Sequence, residues 1–250
     1  AELKGHAEHL EETVAERTAK LRETINHLES FSYTVAHDLR APIRAMEGYA
    51  DILLSDLGKT LDKQSTTILK NIARAARHLD ALTRDVLNYT KVSTQEIQLQ
   101  PVNVEETVHD VTGMNPALQA PHSNIAIVRP LHRVLAQPTL LAQSISNLLD
   151  NGVKFVAPGV MPRIVIRSEL RGDTVRLWIE DNGIGMDRHV QAKIFGIFER
   201  ARPANEYPGT GIGLAIVARA VERMGGAYGV DSEPGKGSRF WFELRAAPAI

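Results

Sequence analysis

Cysteine is absent from the 250-residue chain, which excludes disulfide bonds and permits a reducing compartment. An excess of charge is absent as well, because 29 lysines and arginines face 30 acidic residues, for a formal net charge of -1. That balance provides no basic field for nucleic acid and no polybasic patch for a membrane surface. The sequence shows neither a signal peptide nor an apolar run near the roughly 18 residues of a membrane-spanning helix. We therefore expect a cytoplasmic fragment that contacts neither nucleic acid nor membrane.

The first 30 residues predict a coiled coil. Steps of alternately four and three residues from Leu3 reach ten positions, of which eight are apolar. These positions are Leu3, Ala7, Leu10, Val14, Arg17, Leu21, Thr24, Leu28, Phe31 and Val35. The rest of the segment is rich in Glu, Lys and Arg, as on the flanks of a dimer seam. A single amphipathic surface helix is the alternative.

A helical hairpin is predicted over residues 31–97. The first helix extends to about Leu57, Gly58 ends it in a turn, and the second runs from about Asp62 to about Thr94. Apolar residues at three- and four-residue steps predict one buried stripe on each helix. The stripes consist of Val35, Leu39, Ile43, Met46, Ala50 and Leu53 in the first helix and of Ile68, Ile72, Ala75, Leu79, Leu82 and Val86 in the second. Two helices cannot bury both stripes alone, so we predict that two hairpins form a dimeric four-helix bundle.

The first helix of the hairpin carries a histidine, an acid, an arginine and a proline in the order His-Asp-x-Arg-x-Pro, from His37 to Pro42. His37 and Arg40 fall on the wetter face, opposite the apolar stripe. Pro42 cannot donate to the carbonyl group of Asp38, and its ring crowds that group, so we expect the helix to bend or open beside His37. A single histidine on such a face is most often merely solvated, and its interpretation depends on the rest of the chain.

From about Gln98 the pattern changes to short strands alternating with helices. Strands are predicted over Leu99–Val102, Asn124–Arg129, Arg163–Glu169, Thr174–Glu180, Tyr228–Asp231 and Ser238–Leu244, and helices over Val104–Leu118, Thr139–Phe155 and Gly213–Met224. This mixed order predicts an α+β sandwich over residues 98–250, in which a mixed sheet carries helices on one face.

The helix that ends near Phe155 places Asn147, Asn151 and Lys154 on one face, because they are four and three residues apart. Amide oxygens can hold Mg²⁺, and an ammonium group can meet a phosphate. Taken alone, such amides are more often helix-surface residues. Gly152 costs about 1 kcal/mol in a helix interior, which indicates either a looser helix or a closer approach of the backbone to a ligand. Phe155 is expected to pack near a bound base or near a segment that covers it.

Two glycine-containing loops complete a candidate nucleotide site. Asp181 follows a strand and precedes Gly183 and Gly185, so its carboxylate can accept from an exocyclic amine while the backbone passes close to a flat base. The second loop opens a helix with small residues, which let a phosphate approach backbone N–H groups. It consists of Gly209, Thr210, Gly211, Ile212, Gly213 and Leu214. Neither loop has the spacing of dinucleotide-binding or P-loop folds, and each alone is weak evidence.

Together these segments resemble the sensor histidine kinases of two-component systems. The matching segments, in the family's order, are the H-box at residues 37–42, the N-box at 147–155, the G1 box at 181–185, the F-box at 195–200 and the G2 box at 209–214. The resemblance implies a coiled-coil linker over residues 1–30, a HisKA-type dimerisation and phosphotransfer domain over 31–97 and a GHKL-type ATP-binding domain over 98–250. Without the H-box, the same ATP fold would also fit heat-shock chaperones, type II topoisomerases and mismatch-repair ATPases.

The resemblance also implies the ligands, ATP and Mg²⁺. Asn147 and Asn151 would lie at the metal ion, and Asp181 would read the adenine amine. Lys154 and Arg200 are the candidates for phosphate contact. The segment from about residue 186 to 208 would form the ATP lid, with the F-box aromatics in either the lid or the core.

The reaction implied by the resemblance is attack of a neutral imidazole nitrogen of His37 on the γ-phosphorus of ATP, with Asp38 as general base and orienter. Because the two residues are neighbours on a helix, the Asp38 carboxylate has to reach sideways to the ring. The phosphoryl group would then pass to an aspartate of a response regulator. The chain begins inside a helical pattern, so we expect a longer protein whose sensor domain lies upstream. A dimeric scaffold that keeps the fold without the chemistry is the competing interpretation.

One position departs from the family in a way that bears on activity. The resemblance ties dephosphorylation of the regulator to a Thr or Asn four residues after the histidine, and this chain has Ala41 there. A methyl group neither donates nor accepts a hydrogen bond, so it cannot orient a water molecule. We therefore expect weak phosphatase activity.

Overall fold

A computed structural model describes residues 2–58, 60–201, 207 and 209–248. Two compact units follow one another in the chain, Ala1–Thr94 and Gln95–Ile250. The first is a helical hairpin of α1, Glu2–Leu57, and α2, Lys63–Thr94, as the sequence predicts. Asp62 caps α2, since its carboxylate accepts from the backbone N–H of Ser65 at 2.7 Å.

Two details of α1 differ from, or lie beyond, the sequence prediction. The helix does not open beside His37 but continues through Pro42, because a proline removes only one hydrogen bond from the ladder. The predicted coiled-coil seam of residues 1–30 falls mostly on side chains outside the described residues. Of that seam, Val14 and Arg17 are described, and both are exposed.

The stripe predicted for α2 is largely exposed in a single chain, where a second hairpin was expected to bury it. The side chains that α2 buries against α1 are Ala73, Ala76, Asp80, Thr83, Leu87, Thr90 and Val92. Ile68, Ile72 and Leu79 of the predicted stripe remain 42–51% exposed. In α1, Ile43 and Ala50 are buried, whereas the other members of its stripe are exposed. Small and polar residues line the contact within the hairpin because the larger apolar residues form a second face.

The second unit contains a small two-stranded sheet and a larger five-stranded sheet. The small sheet pairs β1, Gln100–Val102, antiparallel with β3, Val134–Ala136. The strands of the larger sheet are β2, Asn124–Val128; β4, Arg163–Arg171; β5, Thr174–Asp181; β6, Ala227–Ser232; and β7, Ser238–Arg245. Their order is β2-β4-β5-β7-β6, with β2 parallel to β4 and the other pairs antiparallel.

Helices pack on one face of this mixed sheet, which confirms the predicted fold class. The helices of the second unit are α3, Val104–Met114; α4, Pro138–Lys154; a short α5, Arg188–Gln191; and α6, Gly213–Arg223. Helices α4 and α6 contact each other and the central strands. Alternate strand residues such as Ile164, Leu177, Ile179 and Phe242 are almost fully buried beneath them. This core holds α4 and the end of β5 in a fixed relation.

The predicted element boundaries are otherwise close, with three differences. The helix predicted over Val104–Leu118 ends at Met114, because the Asn115 side chain accepts from the N–H of Ala117 at 3.0 Å and caps a separate 3-10 turn, Pro116–Leu118. Strand β3 and helix α5 were not predicted, because three and four residues are too few to repeat a pattern that could be recognised.

Candidate functional site

In the helical hairpin, the candidate nucleophile and its candidate base are in contact. Nδ1 of His37 lies 3.1 Å from Oδ1 of Asp38, so the carboxylate does reach sideways to the ring. One turn earlier, the ring of Tyr33 is stacked with the imidazole at a centroid distance of 6.5 Å. Both His37 and Asp38 are well exposed. A large partner therefore has access to the imidazole.

The second unit brings the N-box helix α4 against the G2 loop. A Cβ atom built on Gly213 would lie 3.2 Å from Oδ1 of Asn147. Further along α4, Nζ of Lys154 is so close to Gly209 that a side chain there would collide with it. Asn151 lies between these two positions on the same helix, half-buried. The predicted metal and phosphate residues thus line one edge of the G2 loop.

Asp181 is the most strongly perturbed acid of the site. It ends β5, and its Oδ1 accepts from the backbone N–H groups of Gly183 at 2.8 Å and Ser238 at 3.1 Å. Burial raises the pKa of this carboxyl from 3.8 to about 6, although the two N–H groups act in the opposite direction. Both hydrogen bonds end on Oδ1, which leaves Oδ2 for an exocyclic amine.

The G1 loop folds back on the end of α4. The N–H of Ile184 donates to the carbonyl of Phe155 at 2.8 Å. Gly183 lies so close that a Cβ would be 2.5 Å from the same carbonyl oxygen. Gly185 has φ +66° and lies against the carbonyl of Glu233, where any side chain would collide. Asp181, the G1 glycines and Phe155 therefore form one continuous wall.

Gly152 is explained by packing beside this wall. A Cβ atom at this position would lie 2.8 Å from Cδ1 of Ile164 and 3.4 Å from Cβ of Asp181. The sequence predicted either a looser helix or a closer approach of the backbone to a ligand. The structure shows a close approach of the backbone, but to the neighbouring strand β4. Helix α4 stays regular through Gly152.

The start of α6 follows directly on the G2 loop. Among the described residues, Ile212 at the N-terminus of α6 makes no side-chain hydrogen bond to the first turn of that helix. Thr210 accepts from the N–H of Ile212 at 3.3 Å and shapes the loop just before the helix, while Leu214 occupies the first turn. Gly211 has φ +79° and packs against the backbone of Phe198 and Glu199, which joins the G2 loop to the F-box. An uncapped N-terminus of this kind favours an anion.

The two F-box aromatics have different environments. Phe195 packs at 4.7 Å from Tyr228 and 6.4 Å from Phe240, measured between ring centroids, and so anchors the segment to the sheet. Phe198 is 58% exposed and has φ +65°, which is uncommon for a residue other than glycine. From the sequence, these two aromatic residues could belong either to the core or to the lid. In the structure Phe195 packs on the sheet, whereas Phe198 is exposed.

Arg200 contacts the backbone of the predicted lid. Its guanidinium donates to the carbonyl of Gly209 and, at 2.6 Å, to that of Tyr207. Tyr207 packs against Phe155 at 5.5 Å between centroids, and its hydroxyl donates to the carbonyl of Val156 at 3.2 Å. The Tyr207 contacts tie that residue to the end of α4, and Arg200 joins it to Gly209.

Tyr207 and Ser238 contact the site residues although neither was predicted from the sequence. An aromatic residue two positions before a predicted phosphate loop was the available signal for Tyr207. For Ser238 the signal was its place directly after Gly235-Lys236-Gly237, at the start of a strand. Both contacts depend on residues distant in the chain, which a local pattern does not reveal.

Two absences concern the described part of the chain. No group of three or more histidine, cysteine or acidic side chains within it is arranged to hold a metal ion. Across the same described residues, no helix is both long enough and apolar enough to cross a membrane.

The chain thus combines a helical hairpin that carries an exposed histidine–aspartate pair with an α+β sandwich whose glycine loops have the features expected of an ATP site. Comparison with known proteins agrees. The family described as His Kinase A (phospho-acceptor) domain matches residues 27–95. The family described as Histidine kinase-, DNA gyrase B-, and HSP90-like ATPase matches residues 136–248.

Individual relatives match across nearly the whole chain. Phytochrome-like protein Cph1 of Synechocystis sp. is 32% identical over 234 residues, which are 93% of this chain and 31% of that protein. Methanogenesis regulatory histidine kinase FilI of Methanothrix harundinacea is 32% identical over 94% of this chain and 26% of its own length. The structure of full-length ShkA in complex with AMPPNP matches with a TM-score of 0.64 and 30% identity, over 88% of this chain and 47% of that one.

The chain belongs to the sensor histidine kinases. It spans about a third or less of the length of these two curated relatives.

Proposed function

We propose that this chain is the catalytic core of a dimeric sensor histidine kinase that phosphorylates itself on His37 and passes the phosphoryl group to an aspartate of a response regulator. The observation that carries the proposal is the contact between Nδ1 of His37 and the carboxylate of Asp38 on an exposed helix face. In a scaffold without chemistry, nothing would require an acid at this nitrogen.

The contact selects the reactive nitrogen. A carboxylate only accepts hydrogen bonds, so Nδ1 carries the proton and donates it to Asp38. Nε2 then keeps its lone pair and is the nucleophile. As Nε2 forms its bond to the γ-phosphorus, the bond between that phosphorus and the bridging oxygen breaks, and ADP is the leaving group. Positive charge develops on the ring, and Asp38 stabilises it and takes the Nδ1 proton. The carboxylate thus acts as orienter first and as base second.

The second unit supplies a nucleotide site that fits ATP with Mg²⁺. Bound ATP with Mg²⁺ supplies the phosphoryl group to be transferred. Oδ2 of Asp181 accepts from the exocyclic amine of adenine, and the wall formed by Phe155 and the G1 loop excludes water from the base. Lys154 and the uncapped first turn of α6 face the phosphates. Asn147 and Asn151 would hold the metal ion through their amide oxygens, and the ion would offset the negative charge of the phosphates.

Arg200 has a different role in this proposal from the one its charge suggests. Its guanidinium donates to the carbonyl groups of Tyr207 and Gly209, at the start of the loop that would receive the phosphates. It therefore shapes the phosphate loop and contacts a phosphate only if these bonds exchange.

Dimerisation and the regulator complete the proposal. The exposed apolar face of the hairpin, which includes Leu39, Met46 and Ile72, is the surface that a second copy buries in a four-helix bundle. A receiver domain docks on the bundle near the exposed His37. The family membership and the chemistry of the acceptor support this partner.

Labelling with γ-labelled ATP tests the function. The unaltered chain should acquire label that is lost in acid and retained in alkali, as expected for phosphohistidine. His37→Gln should abolish this label and leave ATP binding close to that of the unaltered chain, because the variant leaves the second unit intact. Acid-labile label in His37→Gln would show that another histidine is the acceptor. ATP binding without any labelling would favour the scaffold.

A further inference from the structure

Polar residues form a stripe along the contact between the two helices of the hairpin. The α1 stripe follows alternate steps of three and four residues and consists of His37, Arg40, Arg44, Glu47 and Asp51. The α2 stripe consists of Arg77, Asp80 and Arg84. The stripes meet where Nη1 of Arg77 lies 3.5 Å from Asp51 and 3.7 Å from Glu47, and where Nε of Arg44 lies 3.5 Å from Oδ1 of Asp80.

Asp80 differs from every other member of these stripes in its burial. It is only 4% exposed, whereas the side chains of Arg44 and Arg84 are more than half exposed. Its Oδ2 accepts from Arg84, one turn further along α2, at 2.5 Å. Its Oδ1 is shut off from water and has no hydrogen-bond partner among the described residues, and the cation facing it is Arg44 of the other helix.

A buried carboxylate of this kind contributes little to the stability of the folded protein. Taking a charge out of water costs about as much as the ion pair returns, and an apolar residue of similar size often serves as well or better. The best-attested use of a polar residue inside a helix–helix contact is to select one relative setting of the helices. The neighbouring buried positions Ala73 and Ala76 are small and select no setting by shape.

The setting of α1 determines where His37 points. Arg44 follows His37 by seven residues, and seven steps of 100° leave the two side chains about 20° apart around the helix, roughly 10 Å apart along it. Any rotation of α1 that turns Arg44 towards Asp80 therefore fixes the direction in which the imidazole leaves the helix. The same rotation carries Asp38 with it.

We propose that Asp80 is a positioning residue for phosphotransfer: by pairing with Arg44 it fixes the rotation of α1 on α2 and so the direction of His37. This inference rests on the proposed role of His37 as the acceptor. It assigns to Asp80 an effect on the rate of the reaction, with no contribution to nucleotide binding.

The test compares four variants of the full chain by autophosphorylation kinetics and thermal unfolding. Asp80→Leu and Arg44→Gln should each lower kcat about tenfold, since a displaced reactive group loses up to about a hundredfold. The KM for ATP should not change in either variant. The midpoint of unfolding should stay equal or rise in Asp80→Leu, whereas it should fall in Arg44→Gln, which leaves the buried Asp80 with Arg84 alone. Arg44→Lys should keep most of the rate. The matched control Arg74→Gln removes an exposed arginine of α2 whose guanidinium donates to Asn71 of the same helix, and it should leave kcat unaltered.

The double variant shows whether the two residues act through one contact. Asp80→Leu combined with Arg44→Gln should lose no more than either change alone, about tenfold and not a hundredfold. Unaltered kcat in Arg44→Gln, losses that multiply, or a kcat that falls only in step with the unfolding midpoint would each overturn the inference. If Asp80→Leu does not fold, the Arg44 variants decide alone. An unaltered chain that acquires no label on His37 refutes the proposed function instead.

Discussion

Gly152 of helix α4 and Ile164 of strand β4 pack so closely that a Cβ atom on the glycine would lie 2.8 Å from Cδ1 of the isoleucine. The contact lies directly beside Asp181, whose Cβ would be 3.4 Å from the same added atom. The wall of the nucleotide site therefore depends on a missing methyl group in the N-box helix.

Gly152→Ala should lower the stability of the second unit by about 1 kcal/mol. Overpacking a core costs roughly 1–3 kcal/mol, and the better helix propensity of alanine returns about 1 kcal/mol. Ile164→Val deletes the Cδ1 atom that the new methyl group meets. The double variant should be no less stable in urea unfolding than Ile164→Val alone. Simple additivity of the two losses would contradict this account of the contact.

Asp181→Asn should weaken ATP binding by about ten- to a hundredfold. The amide can still accept from Gly183 and Ser238, but it replaces a carboxylate that accepts from the adenine amine, and such a bond to a charged group contributes roughly 1.5–3 kcal/mol. Isothermal titration with ATP measures the change. Titration with GTP provides the control, because a guanine oxygen offers Asp181 no donor at that position. Equal ATP affinity in both proteins would mean that Asp181 does not read the base.

The same substitution should stabilise the unliganded protein. In the folded chain the pKa of Asp181 is raised to about 6, above its value of about 3.9 in the unfolded chain. At a pH between these two values, the carboxyl group is therefore mostly protonated in the folded state and mostly ionised in the unfolded state. The stability of the folded state therefore declines as pH rises from about 4 to about 6 and stays lower at pH 7. Asp181→Asn should recover on the order of 1–3 kcal/mol at pH 7. Urea unfolding at pH 7 and pH 4.5 should show this gain shrinking at the lower pH.

ATP affinity should decline as pH falls through about 6. Only the ionised Asp181 accepts from the adenine amine, and protonation converts the carboxylate into a partial donor. Dissociation constants for ATP at pH 7.5, 6.5 and 5.5 test this expectation. Asp181→Asn is the control, because titration of the nucleotide phosphates affects both proteins equally, whereas titration of Asp181 affects only the unaltered chain. Parallel pH profiles for the two proteins would rule out Asp181 as the titrating group.

Ala41→Thr should bring a partial gain of phosphatase activity towards a phosphorylated receiver domain. Ala41 is exposed one turn after His37, where a hydroxyl group can orient a water molecule. Positioning of one reactant can contribute about a hundredfold in rate, whereas autophosphorylation needs no water and should not change. The measurement mixes the protein and ADP with a purified phosphorylated receiver domain that accepts from this chain. Rapid dephosphorylation by the unaltered protein, beyond back-transfer to His37, would refute the prediction.

The hairpin should sediment as a dimer at micromolar concentration. Ile72 belongs to the apolar face that a single chain leaves exposed. Ile72→Asp should therefore contain a larger fraction of monomer than the unaltered chain at the same concentration. Thr67→Asp places the same carboxylate on the polar side of α2 and should leave the dimer intact. A monomeric unaltered chain in sedimentation equilibrium would contradict the four-helix bundle.

The chain's local patterns were sufficient for the order of the longer elements and for naming candidate site residues. Helical periodicity, the turn at Gly58 and the glycine loops are properties of neighbouring residues, so they can be read without a structure. The joint occurrence of the His37 segment with the Asp181 and Gly209 loops made the family recognisable, although each segment alone was weak.

Tertiary structure decided what depends on residues far apart in the chain. Burial beneath the sheet edge raises the pKa of Asp181, and the position of Ile164 explains Gly152. Arg200 was a candidate for phosphate contact, but in the structure its guanidinium donates to the carbonyl groups of Tyr207 and Gly209. The burial of Asp80 opposite Arg44 arises because the largest apolar residues of α2 form a different face. Each of these is a property of three-dimensional neighbours, and periodicity along one helix carries no information about which neighbour a face will meet.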